Sequence, residues 1–205
     1  MKVWNKGVGI VKQEIRIAGF DDGSFEFGDG EKKKTVPVIG VIYRGGKFID
    51  GALKTDVTVD GMDATEKIIE LVNRSRHKRQ LKLLMFDGIT VGGFNVIDIR
   101  EVHDCTDLPV VAINRKLPDI ASVKAALRRF KDFKKRWLAV QHAGKIKKCK
   151  LKKGKIIYYQ NIGMDDEEAE DAINISCTHS FIPEPLRVAH LIATAVVKGE
   201  SVGKA

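Results

Sequence analysis

The sequence predicts an α/β protein with one mixed sheet flanked by helices, and three observations carry that expectation. An antiparallel meander of alternating strands opens the chain. Two short, continuously apolar runs, LKLLMFDG from Leu81 and PVVAI from Pro109, read as strands buried on both faces, as parallel strands are. Helical periodicity separates those runs, as a parallel crossover requires.

In chain order, EIRIAGFDD is the first strand, ending in two adjacent acids, Asp21 and Asp22, and Gly23. FEFGDGEKKK is a polar connection with a hairpin turn expected at Asp29-Gly30. TVPVIGVIYR and KFIDGALKTDVTV are two further strands joined at Gly45-Gly46. DATEKIIELVNRSRHKR is a helix, with Asp63 as N-cap, Glu66 completing a capping box, and Ile68, Ile69, Leu71 and Val72 on the buried face. After LKLLMFDG a helix is expected from Phe94 to His103, then the PVVAI strand. Pro118 opens a basic helix through Lys131, and DFKKRWLAVQHA continues helical. KIKKCKLKKGKIIYYQNI is a hairpin turning at Gly154, either an insertion or an edge pair of the sheet. DDEEAEDAINI and PLRVAHLIATAVVKG are helices, the first with acids in its opening turn, where the macrodipole favours them. With no internal repeat and no proline-rich linker, one domain over residues 1–205 is the economical organisation.

Composition narrows the class. A hydrophobic fraction of 43% against 31% charged is that of a globular chain. No run reaches the roughly 18 apolar residues of a membrane span, and the N-terminus has no secretory apolar segment. Cys105, Cys149 and Cys177 are odd in number and far apart, which excludes a disulfide scaffold and a Cys-x-x-Cys zinc site and fits a reducing cytoplasm. The net charge of +9 is uneven: residues 115–155 hold 16 Lys and Arg against Asp119 and Asp132, a local +14, leaving −5 for the rest. Such a segment is the electrostatic footprint of a nucleic-acid binder, or else a solvated helix face beside a basic hairpin.

The chemistry rests on carboxylates. Asp21 and Asp22 end the first strand and Asp87 ends the fourth, each followed by glycine. If the two strands are parallel neighbours, their carboxyl ends meet at the sheet edge where open α/β sheets bind ligands. Mg²⁺ takes one or two protein carboxylates plus water and phosphate oxygens, so two converging acids meet the minimum for metal-assisted phosphodiester chemistry. The competing reading is local, since Asp-Gly is also a common tight-turn pair. Asp60, in Asp-Gly, and Asp63, at a helix start, are the candidates for a further metal ligand, and spacing does not choose between them.

Three patches resemble an archaeal family of unassigned function related to endonuclease V, with a three-layer fold of the ribonuclease H type. IAGFDDGSF is similar to the first strand of endonuclease V, which carries a metal-binding aspartate, and Asp21 is the matching position. LLMFDGITVGGFNVIDIREVHDCTDLPVVAINRK resembles the segment with the second metal aspartate, matched by Asp87, and the basic residue after the next strand, matched by Arg115 or Lys116. FIPEPLRVAHLIA is similar to the proline-flanked C-terminal helix of those nucleases. The resemblance spans roughly Ile15 to Lys198. Three features of endonuclease V have no match: the glutamate opening the helix after the third strand, the tyrosine-bearing wedge, for which TDVTVDGM supplies neither aromatic nor proline, and the late active-site histidine, whose position falls near Gly163 and Met164. The resemblance therefore implies the scaffold and two metal acids, and does not extend to inosine.

Two functions follow as expectations. One is a nuclease dependent on Mg²⁺ or Mn²⁺, with Asp21 and Asp87 holding the ion, Asp22, Asp60 or Asp63 adding a ligand, Arg115 or Lys116 on the scissile phosphate, and the Arg128–Lys155 region on DNA or RNA backbone phosphates. The other is a nucleic-acid-binding protein without catalysis. Trp137, Phe130 and Phe133 are read as a packed helix face rather than a stacking platform. The histidines show no paired ligand spacing; His190 is read as a partly buried helical residue, and His179 as the one nearer a site.

Overall fold

The computed structural model describes residues 14–23, 35–152 and 154–201. The expected hairpin at Asp29-Gly30 lies outside the described residues. Strands β1 (Arg16–Asp21), β2 (Thr35–Arg44) and β3 (Phe48–Thr58) form the antiparallel meander. Then follow α1 (Ala64–Arg74), β4 (Leu83–Asp87), a small hairpin β5 (Thr90–Val91) and β6 (Asn95–Val96), α2 (Ile99–Thr106) and β7 (Val110–Asn114). The chain continues through α3 (Ile120–Leu127), α4 (Phe133–His142), β8 (Lys147–Lys150), β9 (Ile156–Ile162), α5 (Asp166–Ser176) and α6 (Glu184–Lys198).

Seven strands make one mixed sheet in the order β3-β2-β1-β4-β7-β9-β8. β1, β4 and β7 are parallel neighbours at its centre, and their side chains are buried on both faces. That burial is why β4 and β7 read as unbroken apolar runs. The basic hairpin is an edge pair: β9 lies antiparallel to β7, and β8 closes the sheet.

Alternation splits the core into two layers. Ala18, Phe20, Leu84, Phe86, Val110 and Ala112 pack with α1 and α2, where the Phe20 and Phe86 rings stack at 5.3 Å. Ile17, Met85, Val111 and Ile113 pack on the opposite face with α5 and the start of α6. The proline-flanked string opens α6, where the buried Glu184 accepts from Arg187 Nη2 at 2.6 Å and from the His179 backbone N–H at 3.3 Å. Among the described residues no helix is long and apolar enough to cross a membrane.

Two expectations are corrected. The helix expected from Phe94 begins only at Ile99, capped by Asp98, because Gly92 and Gly93 at positive φ turn the chain through β5–β6 first. Asp63 precedes α1 but makes no side-chain cap. Its carboxylate instead accepts from the Thr58 N–H and hydroxyl, from Asn95 Nδ2 at 2.6 Å, and pairs with Lys67 Nζ at 2.8 Å.

Candidate functional site

The register between β1 and β4 pairs Gly19 with Met85 and Phe20 with Phe86, so Asp21 and Asp87 come next on neighbouring parallel strands. They share a face of the sheet, one strand spacing (~4.8 Å) apart along the backbone. Helix α6 lies over that face because β1 carries glycine where the helix crosses. A Cβ on Gly19 would stand 2.6 Å from the Pro185 carbonyl carbon, and one on Gly23, at φ +63°, 2.6 Å from the Thr194 amide nitrogen. This close approach brings His190 onto the end of β1, where its Nδ1 lies 2.7 Å from Asp21 Oδ2. Asp21 Oδ1 accepts the Asp22 N–H at 2.9 Å.

The electrostatics are those of crowded acids. Hydrogen bonding to Asp21 raises the His190 pKa above its ordinary value, so the ring favours the charged form that complements the carboxylate. Burial, and then the charge of Asp21, raise the Asp87 pKa; Arg115 Nη2, 3.4 Å from Asp87 Oδ2, opposes them. Asp22 turns to the other face of the sheet, where its Oδ2 accepts the Gly92 N–H. Burial and the neighbouring Asp21 still lift its carboxyl from 3.8 to about 7.

The raised Asp22 value makes a stability prediction. A group whose folded pKa exceeds its unfolded one contributes fully below the unfolded value, 3.8, and that contribution is lost as pH rises through about 7. In metal-free buffer Asp22→Asn should match the wild type near the acid end. Near neutrality it should be roughly 2 kcal/mol more stable, taken as about half the full linkage value, which is roughly 4–8 °C in Tm. Melting curves of both proteins across this range measure it.

The remaining predicted ligands stand elsewhere. Asp60, at φ +53°, accepts the Phe94 N–H on Oδ1 at 2.8 Å while its own N–H donates to Gly92 O. Asp63 is engaged with Thr58, Asn95 and Lys67 as described above, so the structure joins neither Asp60 nor Asp63 to Asp21 and Asp87. Lys116 is exposed, and of the two basic residues Arg115 is the one on Asp87. Gly163 follows β9 at the opposite end of the sheet, packed on the His103 ring. The sequence reading missed His190 and favoured His179, which is exposed and lies 2.9 Å from Thr178 Oγ1. No spacing rule reveals His190; the signal lay in Gly19 and Gly23, which mark a helix crossing β1 closely. Arg136, counted among the basic residues, is 2% exposed and serves the interior.

Beside Asp87 opens a cavity of about 620 Å³, lined among others by Gly88, Asn114, Ile120, Trp137 and Gln160. A divalent cation fits the two acids in one respect: Asp21 and Asp87 repel each other in a partly buried setting, the strain a cation relieves. Among the described residues no group of three His, Cys, Asp or Glu side chains is arranged to hold a metal. Any such ion would therefore rely on water or substrate oxygens for its other ligands, as Mg²⁺ commonly does.

A meander feeding three parallel strands, with acids at the carboxyl ends of the first two, defines a protein of the ribonuclease H-like class. Endonuclease V from Ciona intestinalis, solved with a DNA containing an inosine followed by a ribo-adenosine, shares the fold: TM-score 0.60 at 14% identity, over 90% of this chain and 87% of that one. A crystal structure from Archaeoglobus fulgidus, of a protein of unknown function, superposes with TM-score 0.80 at 36% identity, over 90% of this chain and 99% of that one. The chain belongs to the family described as endonuclease dU, whose profile matches residues 13–197. A UPF0215 protein from Methanothermobacter thermautotrophicus is 47% identical over 196 residues, covering 95% of this chain and 94% of the relative.

Proposed function

We infer that this protein is a divalent-metal-dependent endonuclease that cuts a phosphodiester near an unpaired or extruded base. The observation that carries the reading is the juxtaposition of Asp21 and Asp87 on adjacent parallel strands, with a cavity roomy enough to admit a nucleobase opening at Asp87. Asp21 and Asp87 would hold Mg²⁺ or Mn²⁺, which supplies Lewis-acid compensation for charge building on the phosphate oxygens. His190 fixes the orientation of Asp21 through their 2.7 Å contact. Arg115, 39% exposed at its side chain, reaches from Asp87 toward a phosphate. The cavity offers the apolar surface of Ile120 and Trp137 to a base and the amide of Asn114 to its polar edge. The family's description, endonuclease dU, supports deoxyuridine as that base.

The test is a titration of Mg²⁺ and Mn²⁺ against single- and double-stranded DNA and RNA carrying one deoxyuridine, one hypoxanthine or no altered base. Cleavage near deoxyuridine that a chelator abolishes is expected. Cleavage indifferent to the chelator, or none on any substrate, would remove the reading. A second reading, a nucleic-acid-binding protein without catalysis, rests on the basic segment of residues 115–155 alone. That reading expects salt-sensitive binding unaffected by metal.

A further inference from the structure

The outer face of the β8–β9 pair carries a feature the acids do not use. Cys149, Ile157 and Tyr159 point into the core against α5. By strand alternation Lys148, Lys150, Ile156 and Tyr158 therefore share the other face. Pairing sets Lys148 opposite Tyr158 and Lys150 opposite Ile156. Both lysines are exposed, Ile156 is 48% exposed, and the Tyr158 ring is half-buried.

This face adjoins the cavity. Tyr158 pairs on its other side with Asn114, which lines the cavity, and Gln160, next along the same face of β9, lines it too. Because β8 runs parallel to β7, this part of the hairpin lies at the sheet edge that holds Asp87 and Arg115. Lysines alone would be explained as protection of an exposed edge strand against pairing. That explanation leaves the tyrosine and isoleucine opposite them without a role.

We propose that this face is a docking platform for single-stranded nucleic acid continuous with the base in the cavity. The Tyr158 ring stacks on the neighbouring base, and Lys148 and Lys150 neutralise the phosphates that follow. The spacing suits such a strand. One strand step (~4.8 Å) separates Asn114 from Tyr158 and about 10 Å separates Asn114 from Lys148, some three stacked nucleotides. The local charge of +14 over residues 115–155 is complementary to that occupant. The proposal rests on the nucleic-acid reading of the site and adds where the flanking strand lies.

Anisotropy of a labelled single-stranded deoxyoligonucleotide in chelator, where no cleavage is needed, tests it on the full chain. Tyr158→Ala should weaken binding roughly tenfold, and Tyr158→Phe, which keeps the ring, should stay within about twofold of wild type. Lys148→Gln with Lys150→Gln should lower the slope of log affinity against log salt by about 1.4, at about 0.7 for each phosphate no longer neutralised. Wild-type binding that ignores Tyr158→Ala, or an unchanged salt slope in the lysine variant, overturns the platform and leaves the nuclease reading standing. Wild-type protein that binds no oligonucleotide at low salt overturns both.

Discussion

Asparagine in place of Asp21 or Asp87 should reduce metal-dependent cleavage by a factor of about 10³ or more. A cation's charge stabilisation of the transition state is worth several kcal/mol, and each 1.4 kcal/mol is about tenfold in rate. The substitution keeps the shape and removes the charge, so the fold should tolerate it. For Asp87, whose pKa burial and Asp21 push up, loss of the charge should leave melting temperature unchanged or higher in chelator. His190→Ala should act more mildly, by about 10- to 100-fold, as loss of a partner that orients a ligand does. Single-turnover cleavage, together with calorimetric Mn²⁺ binding, separates these cases. Equal rates for wild type and Asp21→Asn would end the catalytic assignment.

Arg136→Met should cost about 3–5 kcal/mol of stability, the usual penalty for removing one member of a buried charged network. The guanidinium donates to Asp132 Oδ1 at 2.7 Å and Oδ2 at 3.0 Å, to Gly61 O at 3.0 Å, to Asp60 O at 2.7 Å and to Phe94 O. Its carbon also lies 4.2 Å from the centre of the Phe130 ring. One side chain thus ties α4 to the end of β3 and to the β5–β6 hairpin, whose Gly92 N–H holds Asp22. Methionine restores the volume and leaves three carbonyls without their donor. Lysine keeps the charge but lacks the planar fork, and should recover only part of the loss. Urea unfolding measures both variants; a cost below about 1 kcal/mol for Arg136→Met would show that other donors replace it.

The elements were legible where burial pattern and length agree. The β4 and β7 strands announce themselves because each is covered on both faces, β1 because its apolar residues alternate, and α5 because its first turn is acidic and capped by Asp165. The β5–β6 hairpin was missed because FNVIDIREVH carries helical periodicity throughout, while two glycines with positive φ commit its first residues to a turn. Asp63 was misread for a related reason. The local rule offers it the first amides of α1, but Asn95, 32 residues away, and Thr58 offer stronger partners.

Sequence alone determined which acids end which strands, since alternation and glycine placement are properties of neighbours along the chain. It also set the basic segment and the glycines at positions 19 and 23. Only the folded chain decided that His190 meets Asp21, that Asp60 and Asp63 turn away, that Arg136 is interior and that Tyr158 faces out beside two lysines. Those outcomes depend on strand register and on how closely a helix can approach a glycine, and both are settled by packing between residues distant in the chain.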